Sequence, residues 1–165
     1  MDYQQSLYVK YKESQKLENP QPYEVIPLGL EQFPDIKETL TSNEEEYILI
    51  DLPGKLDDDN LIPVIQAADI IAVPYTYEKM TFESSMLFTM LAETLSPDAR
   101  FLFIPNRVQK SVNYALKNDV DKALRGYGQV TPCIHQSVKY ERILTKDIPM
   151  DKLSEIEEVF KVILK

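Results

Sequence analysis

Glycine, cysteine, histidine and tryptophan are scarce: four, one, one and none in 165 residues. The glycines are Gly29, Gly54, Gly126 and Gly128. None lies in a Gly-x₄-Gly-Lys-Ser/Thr run, and no Gly-x-Gly-x-x-Gly follows an apolar run, so neither a phosphate loop nor a dinucleotide fingerprint is present. That argues against a Rossmann-like or flavodoxin-like binding domain. The one cysteine, Cys133, excludes an intramolecular disulfide and a cysteine-based zinc cluster, and it suits a reducing, cytoplasmic setting. The one histidine, His135, excludes a histidine-rich metal site. Ser84, Ser85 and Ser111 lack a Gly-x-Ser-x-Gly elbow, which argues against a Ser-His-Asp hydrolase, and His135 reads as a partly buried strand residue. No apolar run approaches the roughly 18 residues of a membrane span. Met1 to Lys10 has no basic stretch before an apolar core, so no signal peptide is expected.

What is there resembles an ordinary globular chain, with 44% hydrophobic and 27% charged residues. The length suits one domain, 1–165, with a real core. The net charge of −9 argues against a surface coated by nucleic acid. Basic residues nonetheless gather late in the chain, at Arg107, Lys110, Lys117, Lys122, Arg125 and Lys139. They form either a solvated helix face or a local basic patch. The acidic runs 44–46 and 57–59 read as helix-start charge and solubility.

Short apolar runs alternate with longer amphipathic ones. Strands are expected at Tyr23–Leu28, Glu46–Leu52, Ile70–Val73 (stopped by Pro74), Phe101–Ile104 and Val130–His135. Helices are expected at Phe33–Leu40, Asn60–Ala68, Thr81–Leu95, Ser111–Leu124 (capped by Ser111, ended by Gly126) and Met150–Leu164. In the helix Thr81–Leu95 the apolar positions are Phe82, Met86, Met90 and Leu91. In the last helix Leu153, Ile156, Phe160 and Ile163 should point inward. This alternation implies an α/β fold with a mostly parallel sheet flanked by helices.

In open parallel sheets, ligands bind beyond the carboxyl ends of the strands. Asp51 follows an apolar run directly. A carboxylate there holds Mg²⁺ or its water shell in P-loop nucleotidases, and it equally suits a turn or helix cap. Pro53 and Gly54 then open a loop suited to sensing a phosphate. Asn106, after another apolar run, carries an amide that can read a base edge, although Pro105-Asn106 is also an ordinary turn.

The order of these pieces resembles the ParA/MinD group of deviant-Walker ATPases. Glu46-Tyr47-Ile48-Leu49-Ile50-Asp51-Leu52-Pro53-Gly54 is similar to that family's Walker B strand and following loop. Ala67-Ala68-Asp69-Ile70-Ile71-Ala72-Val73-Pro74 is similar to its helix-end and strand signature. Phe103-Ile104-Pro105-Asn106-Arg107-Val108 is similar to the strand that leads to its base-contacting asparagine, and Thr131 to Tyr140 resembles its late strand and loop. Asp2-Tyr3-Gln4-Gln5-Ser6 resembles the end of its second aspartate motif. The match is collinear over nearly the whole chain, and the Asp-Leu-Pro-Gly wording is most like ParA-like proteins of Bacteroidetes mobile elements.

The resemblance implies a P-loop NTPase-like fold that binds ATP and Mg²⁺. It implies Asp51 for the metal through water and Asp2 for orienting the attacking water. Pro53, Gly54, Asn106 and Arg107 would then contact the nucleotide. The family dimerises on ATP, binds DNA nonspecifically as a dimer and answers to a ParB-like or other activating partner, without a membrane. Its tasks include plasmid partitioning and conjugative-element transfer. On this register the phosphate loop, with its strand and helix, falls before Met1, so ATP binding and hydrolysis by residues 1–165 are expected to be very weak. Loss of a strand inside the sheet should leave an unpaired apolar edge. The competing expectation is a non-catalytic interaction module that binds a partner through the helix Thr81–Leu95.

Overall fold

A computed structural model of the protein describes residues 6–16, 23–42, 46–54, 57–141 and 150–164. The chain divides into two compact units, with the boundary after Ala67 and the C-terminal helix belonging to the second.

The first unit is helical where it is regular. Helix α1 spans Ser6–Gln15, α2 Phe33–Thr41 and α3 Leu61–Gln66, with a 3₁₀ turn at Leu30–Gln32. Two bonds close the turn: Gly29 N–H donates to the Gln32 side chain at Oε1, 2.8 Å, and Gln32 N–H donates to the Gly29 backbone carbonyl at 3.2 Å. Pro34 then sits in the first turn of α2, where its missing N–H has no intrahelical acceptor to lose. Before α3, Asp58 Oδ1 accepts the Asn60 backbone N–H at 2.9 Å. Among the described residues, Tyr11, Leu30, Phe33, Pro53, Leu61, Val64 and Ile65 are buried apolar side chains of this unit.

Two expected strands are absent here. Tyr23–Leu28 and Glu46–Leu52 form no ladder, and Tyr47 and Leu49 are 77% and 89% exposed. A β-prone apolar run is a strand only when a neighbour takes its backbone N–H and C=O groups, and among the described residues none does. Helix α1 has no strong apolar stripe. Its buried positions are Tyr11 and Ser14, one turn apart, while Leu7 and Val9 are exposed, so hydrophobic periodicity does not announce it.

The second unit carries the sheet. Strands β1 (Ile70–Tyr75), β2 (Arg100–Pro105) and β3 (Gln129–Val130) are parallel in the order β1-β2-β3. This is the expected α/β architecture, with α4 (Lys79–Leu95) packed on β1 and α5 (Lys117–Leu124) on β3. The central strand is covered on both faces: Phe101, Leu102 and Phe103 are all buried, and Leu102 and Phe103 completely so. On β1 only Ile71, Val73 and Tyr75 are buried, while Ala72 and Pro74 are exposed.

Pro74 does not stop β1, and the ladder shows why. Arg100 N–H donates to Asp69 O at 2.9 Å, and Asn106 N–H donates to Tyr75 O at 2.8 Å. Odd-numbered residues of β1 therefore turn their backbone groups toward β2. Pro74 faces the other edge, where its missing N–H breaks no described hydrogen bond.

In helix α4 the buried residues are Ser85, Thr89 and Ala92; Phe82 and Met86 are half-buried, and Met80, Leu87, Met90 and Leu91 are exposed. Small side chains let the helix lie close to the unit's core. Their hydroxyls are satisfied within the helix: Ser85 donates to Thr81 O at 2.9 Å and Thr89 to Ser85 O at 2.7 Å. The expected helix at Ser111 begins only at Lys117, because Tyr114 is drawn off the helical path. Its ring lies 5.2 Å from that of Tyr77, and its hydroxyl accepts the Gln109 N–H at 3.0 Å. The strand expected at Val130–His135 shortens to β3 plus a single bridge between Val108 and His135. The remaining helices are α6 (Val138–Glu141) and α7 (Met150–Ile163). In α7 the buried residue is Val159, whereas Leu153 and Phe160 are 38% and 46% exposed, contrary to the inward stripe expected.

The approach to β3 demands glycine at 128. A Cβ there would lie 2.3 Å from Phe101 O. We expect Gly128→Ala to destabilise the fold by about 1–3 kcal/mol, since backbone rather than a flexible side chain must yield. Urea unfolding followed by circular dichroism measures it.

Candidate functional site

The carboxyl ends of β1 and β2 place Tyr75-Thr76 beside Pro105-Asn106-Arg107, with the ladder bond from Asn106 to Tyr75 as the last rung. Asn106 is half-buried and Arg107 exposed. The Asn106 side chain turns back on its own loop, and Oδ1 accepts the Arg107 N–H at 2.9 Å. Arg107 itself has φ = 55°, the one non-glycine residue with positive φ among those described. The left-handed conformation costs an L-residue about 1–2 kcal/mol. Here it lets the chain leave β2 sharply and still pair Val108 with the segment at His135, through Val108 N–H to Ile134 O at 3.1 Å and Gln136 N–H to Val108 O at 3.0 Å.

Beneath this turn lies an aromatic and acidic platform. The Tyr75 hydroxyl donates to Asp121 Oδ1 of α5 at 2.8 Å, and both side chains are buried. The Tyr77 ring meets Tyr75 edge-on at 5.5 Å, and Lys117 Nζ lies 5.3 Å from the Tyr77 ring centre. Burial, and then the hydrogen bond to Asp121, push the Tyr75 phenol well above its ordinary range. Burial pushes Tyr77 up to about 12. Both phenols are therefore neutral donors at neutral pH. They carry no titrating chemistry at the carboxyl ends of the strands.

Asp51, Pro53 and Gly54 belong to the first unit, and Asn106 and Arg107 to the second. Asp51 is exposed at the end of the unpaired run, Pro53 is buried, and Gly54 is exposed with open space around it. Asp2 lies outside the described residues. Thus Asn106 and Arg107 share one turn, and Asp51, Pro53 and Gly54 share one segment. Of the basic residues, Arg107, Lys110, Lys117, Lys122 and Arg125 are exposed in the second unit. Lys139 is engaged, with Nζ 2.8 Å from Asp151 Oδ2. No group of three or more metal-ligating side chains suited to a cation occurs among the described residues, and no helix there is long and apolar enough to cross a membrane.

A second cluster was not read from the sequence. His135 Nδ1 pairs with Glu155 Oε1 of α7, and the His135 backbone N–H donates to the same oxygen at 3.2 Å. The Tyr140 hydroxyl donates to Glu155 Oε2 at 2.8 Å. On the other side of the ring, Nε2 lies 3.5 Å from Cys133 Sγ. Burial alone would raise the Glu155 pKa; the hydrogen bonds from His135 and Tyr140 outweigh it and hold the carboxyl below its usual range. Burial, and then the hydrogen bond to Glu155, raise the Tyr140 phenol. The i, i+2 spacing of Cys133 and His135 in extended chain was the one local signal. Glu155, twenty residues on, gave none.

No family model and no curated protein matches the chain. A solved structure does: the crystal structure of a plasmid partition protein from Borrelia burgdorferi, with a TM-score of 0.62 and 18% sequence identity. The match covers 99% of this chain and 82% of that one. The two proteins share a fold, an α/β arrangement with a parallel sheet flanked by helices.

Two outcomes follow from this geometry. Glu155 binds its proton less readily in the folded chain than in the unfolded one. The stability it adds is therefore complete above its unfolded pKa of about 4.3 and is lost as pH falls through the lower folded value. Glu155→Gln is expected to cost about 1–3 kcal/mol at pH 7, and thermal melts should show that deficit shrinking below about pH 4. At the strained turn, Arg107→Gly should leave stability within about 0.5 kcal/mol of the natural chain, because lost strain offsets the glycine's freedom when unfolded. Arg107→Val should cost about 1–3 kcal/mol, both measured by urea unfolding.

Proposed function

We propose that this chain is the body of a ParA-like partitioning ATPase, a cytoplasmic nucleotide switch whose ATP-bound form dimerises, binds DNA and answers to an activating partner. The observation that carries the reading is positional. The asparagine of the family-like Phe103–Val108 segment stands in the turn directly beyond the carboxyl end of a central parallel strand, beside the end of β1. That is where an open α/β sheet receives a ligand. The shared fold with a plasmid partition protein supports the same reading.

In this account Asn106 and Arg107 contact the base. Asp51 holds Mg²⁺ through water, Pro53 and Gly54 follow the γ-phosphate, and Asp2 orients the attacking water. The exposed basic residues Arg107, Lys110, Lys117, Lys122 and Arg125 supply a local DNA-facing patch on an otherwise acidic chain. At the base end the reading rests on Asn106 and Arg107; at the phosphate end no Gly-x₄-Gly-Lys run occurs in the 165 residues. Backbone amides and lysines of such a loop carry most triphosphate affinity. Within the second unit the outer edge of β1 has no partner among the described residues.

A second reading rests on α4. Met80, Leu87, Met90 and Leu91 recur at helical spacing and are all exposed, which favours an interaction module that binds through this helix.

Calorimetry with ATP and Mg²⁺ separates the two. We expect residues 1–165 to bind with Kd weaker than about 1 mM, roughly −4 kcal/mol, because base contacts alone remain. A version extended upstream through an in-frame Lys-Gly-Gly-x-Gly-Lys-Thr run should bind at least about a hundredfold more tightly, a gain of about 3 kcal/mol. Tight binding by the 165 residues refutes the account of the phosphate end. Absence of binding by both leaves the interaction module.

A further inference from the structure

The cluster at His135 has the form of a nucleophile, a base and an orienting acid. The Glu155 carboxylate only accepts, so His135 Nδ1 carries the proton between them. In the neutral imidazole, Nε2 is then the acceptor, and the Cys133 thiol 3.5 Å away is its donor. The ring is held in this orientation from several directions. Glu155 also takes the His135 backbone N–H and the Tyr140 hydroxyl, Lys152 Nζ lies 3.9 Å from Glu155 Oε2, and the segment around His135 is bridged to Val108. Cys133, His135 and Glu155 are all partly exposed, the last two at 25% and 17%, so the cluster is neither sealed in the core nor open on the surface. A thiol alone would indicate nothing. A thiol on one face of an imidazole whose other nitrogen is fixed by a carboxylate is the arrangement that activates a cysteine nucleophile.

We propose that Cys133 is a covalent modification site that exchanges with low-molecular-weight disulfides, with His135 as its general base. The thiol proton passes to His135 Nε2. The Cys133 sulfur attacks one sulfur of the small disulfide; a new Cys133 S–S bond forms and the reagent's S–S bond breaks. The leaving thiolate takes the proton back from His135 and departs as a thiol. Cys133 is oxidised to the mixed disulfide, and the departing sulfur is reduced. No other cysteine is present in the 165 residues to resolve it, so the adduct lasts until an external thiol attacks. The modified residue lies on the segment paired with Val108, one residue beyond Arg107. A substituent there bears on the turn that carries Asn106. This site is independent of the nucleotide reading.

The test follows the mass of the intact 165-residue chain exposed to bis(2-hydroxyethyl) disulfide, a small neutral reagent, at pH 7. The folded chain is expected to react about tenfold faster than the same chain unfolded in urea, where an ordinary thiol is only a few per cent thiolate. His135→Gln, with its circular dichroism unchanged, should react within about twofold of the unfolded rate. A folded natural chain that reacts no faster than the unfolded one overturns the proposal. So does a folded His135→Gln variant that reacts like the natural chain. If that variant does not fold, the comparison of folded and unfolded natural chain decides alone.

Discussion

The parallel ladder between β1 and β2 is the constraint on which the second unit depends. Its register, Ile70 opposite Arg100 through Tyr75 opposite Pro105, is set by faces that must be dry. A slip of β1 by one residue would exchange its buried Ile71, Val73 and Tyr75 for Ala72 and Pro74. The ladder's last rung delivers Asn106 beside Tyr75, and the positive φ of Arg107 then returns the chain to pair at Val108. The candidate base-contacting turn and the Cys133–His135 cluster are both downstream of that one geometric decision. Arg100, at the start of β2, reaches back to the end of α7, where its Nη2 donates to Val162 O at 3.0 Å and Ile163 O at 2.5 Å. This satisfies helix-end carbonyls that would otherwise lack donors, and it fixes the helix that brings Glu155 to His135.

Helix α4 shows how packing distance outweighs hydrophobicity. Serine and threonine occupy its buried face because their hydroxyls bond to carbonyls one turn back and so enter the core without an unpaired polar group. The larger Met80, Leu87, Met90 and Leu91 are left outside. Apolar positions alone do not mark this face, since a hydroxyl already satisfied within the helix is buried as readily.

The nucleotide reading and the thiol cluster draw on different kinds of information. Asn106 and Arg107 are read from order along the chain, and the structure places them together in one turn after β2. Asp51, Pro53 and Gly54 are read the same way, from a run whose strand is unpaired among the described residues. The thiol cluster has almost no signature in order or composition. It arises because α7 lays a carboxylate against a histidine twenty residues earlier.

What the sequence determined by itself is local or compositional. The strands at Ile70 and Phe101 are legible because they are continuous apolar runs bounded by turn residues. The α/β class follows from their alternation with helices. The absence of a phosphate-loop motif from the 165 residues is read from the spacing of the four glycines. What only the tertiary structure decided is non-local. Whether Tyr47–Ile50 is a strand depends on a neighbour to share its hydrogen bonds. Which face of α4 is buried depends on how closely the core approaches. Where the helix after Ser111 begins depends on the Tyr77 ring that draws Tyr114 aside. That Cys133, His135 and Glu155 form one site depends on where α7 comes to rest. Each is a contact between residues distant along the chain, and such contacts leave no period or spacing in the sequence from which to read them.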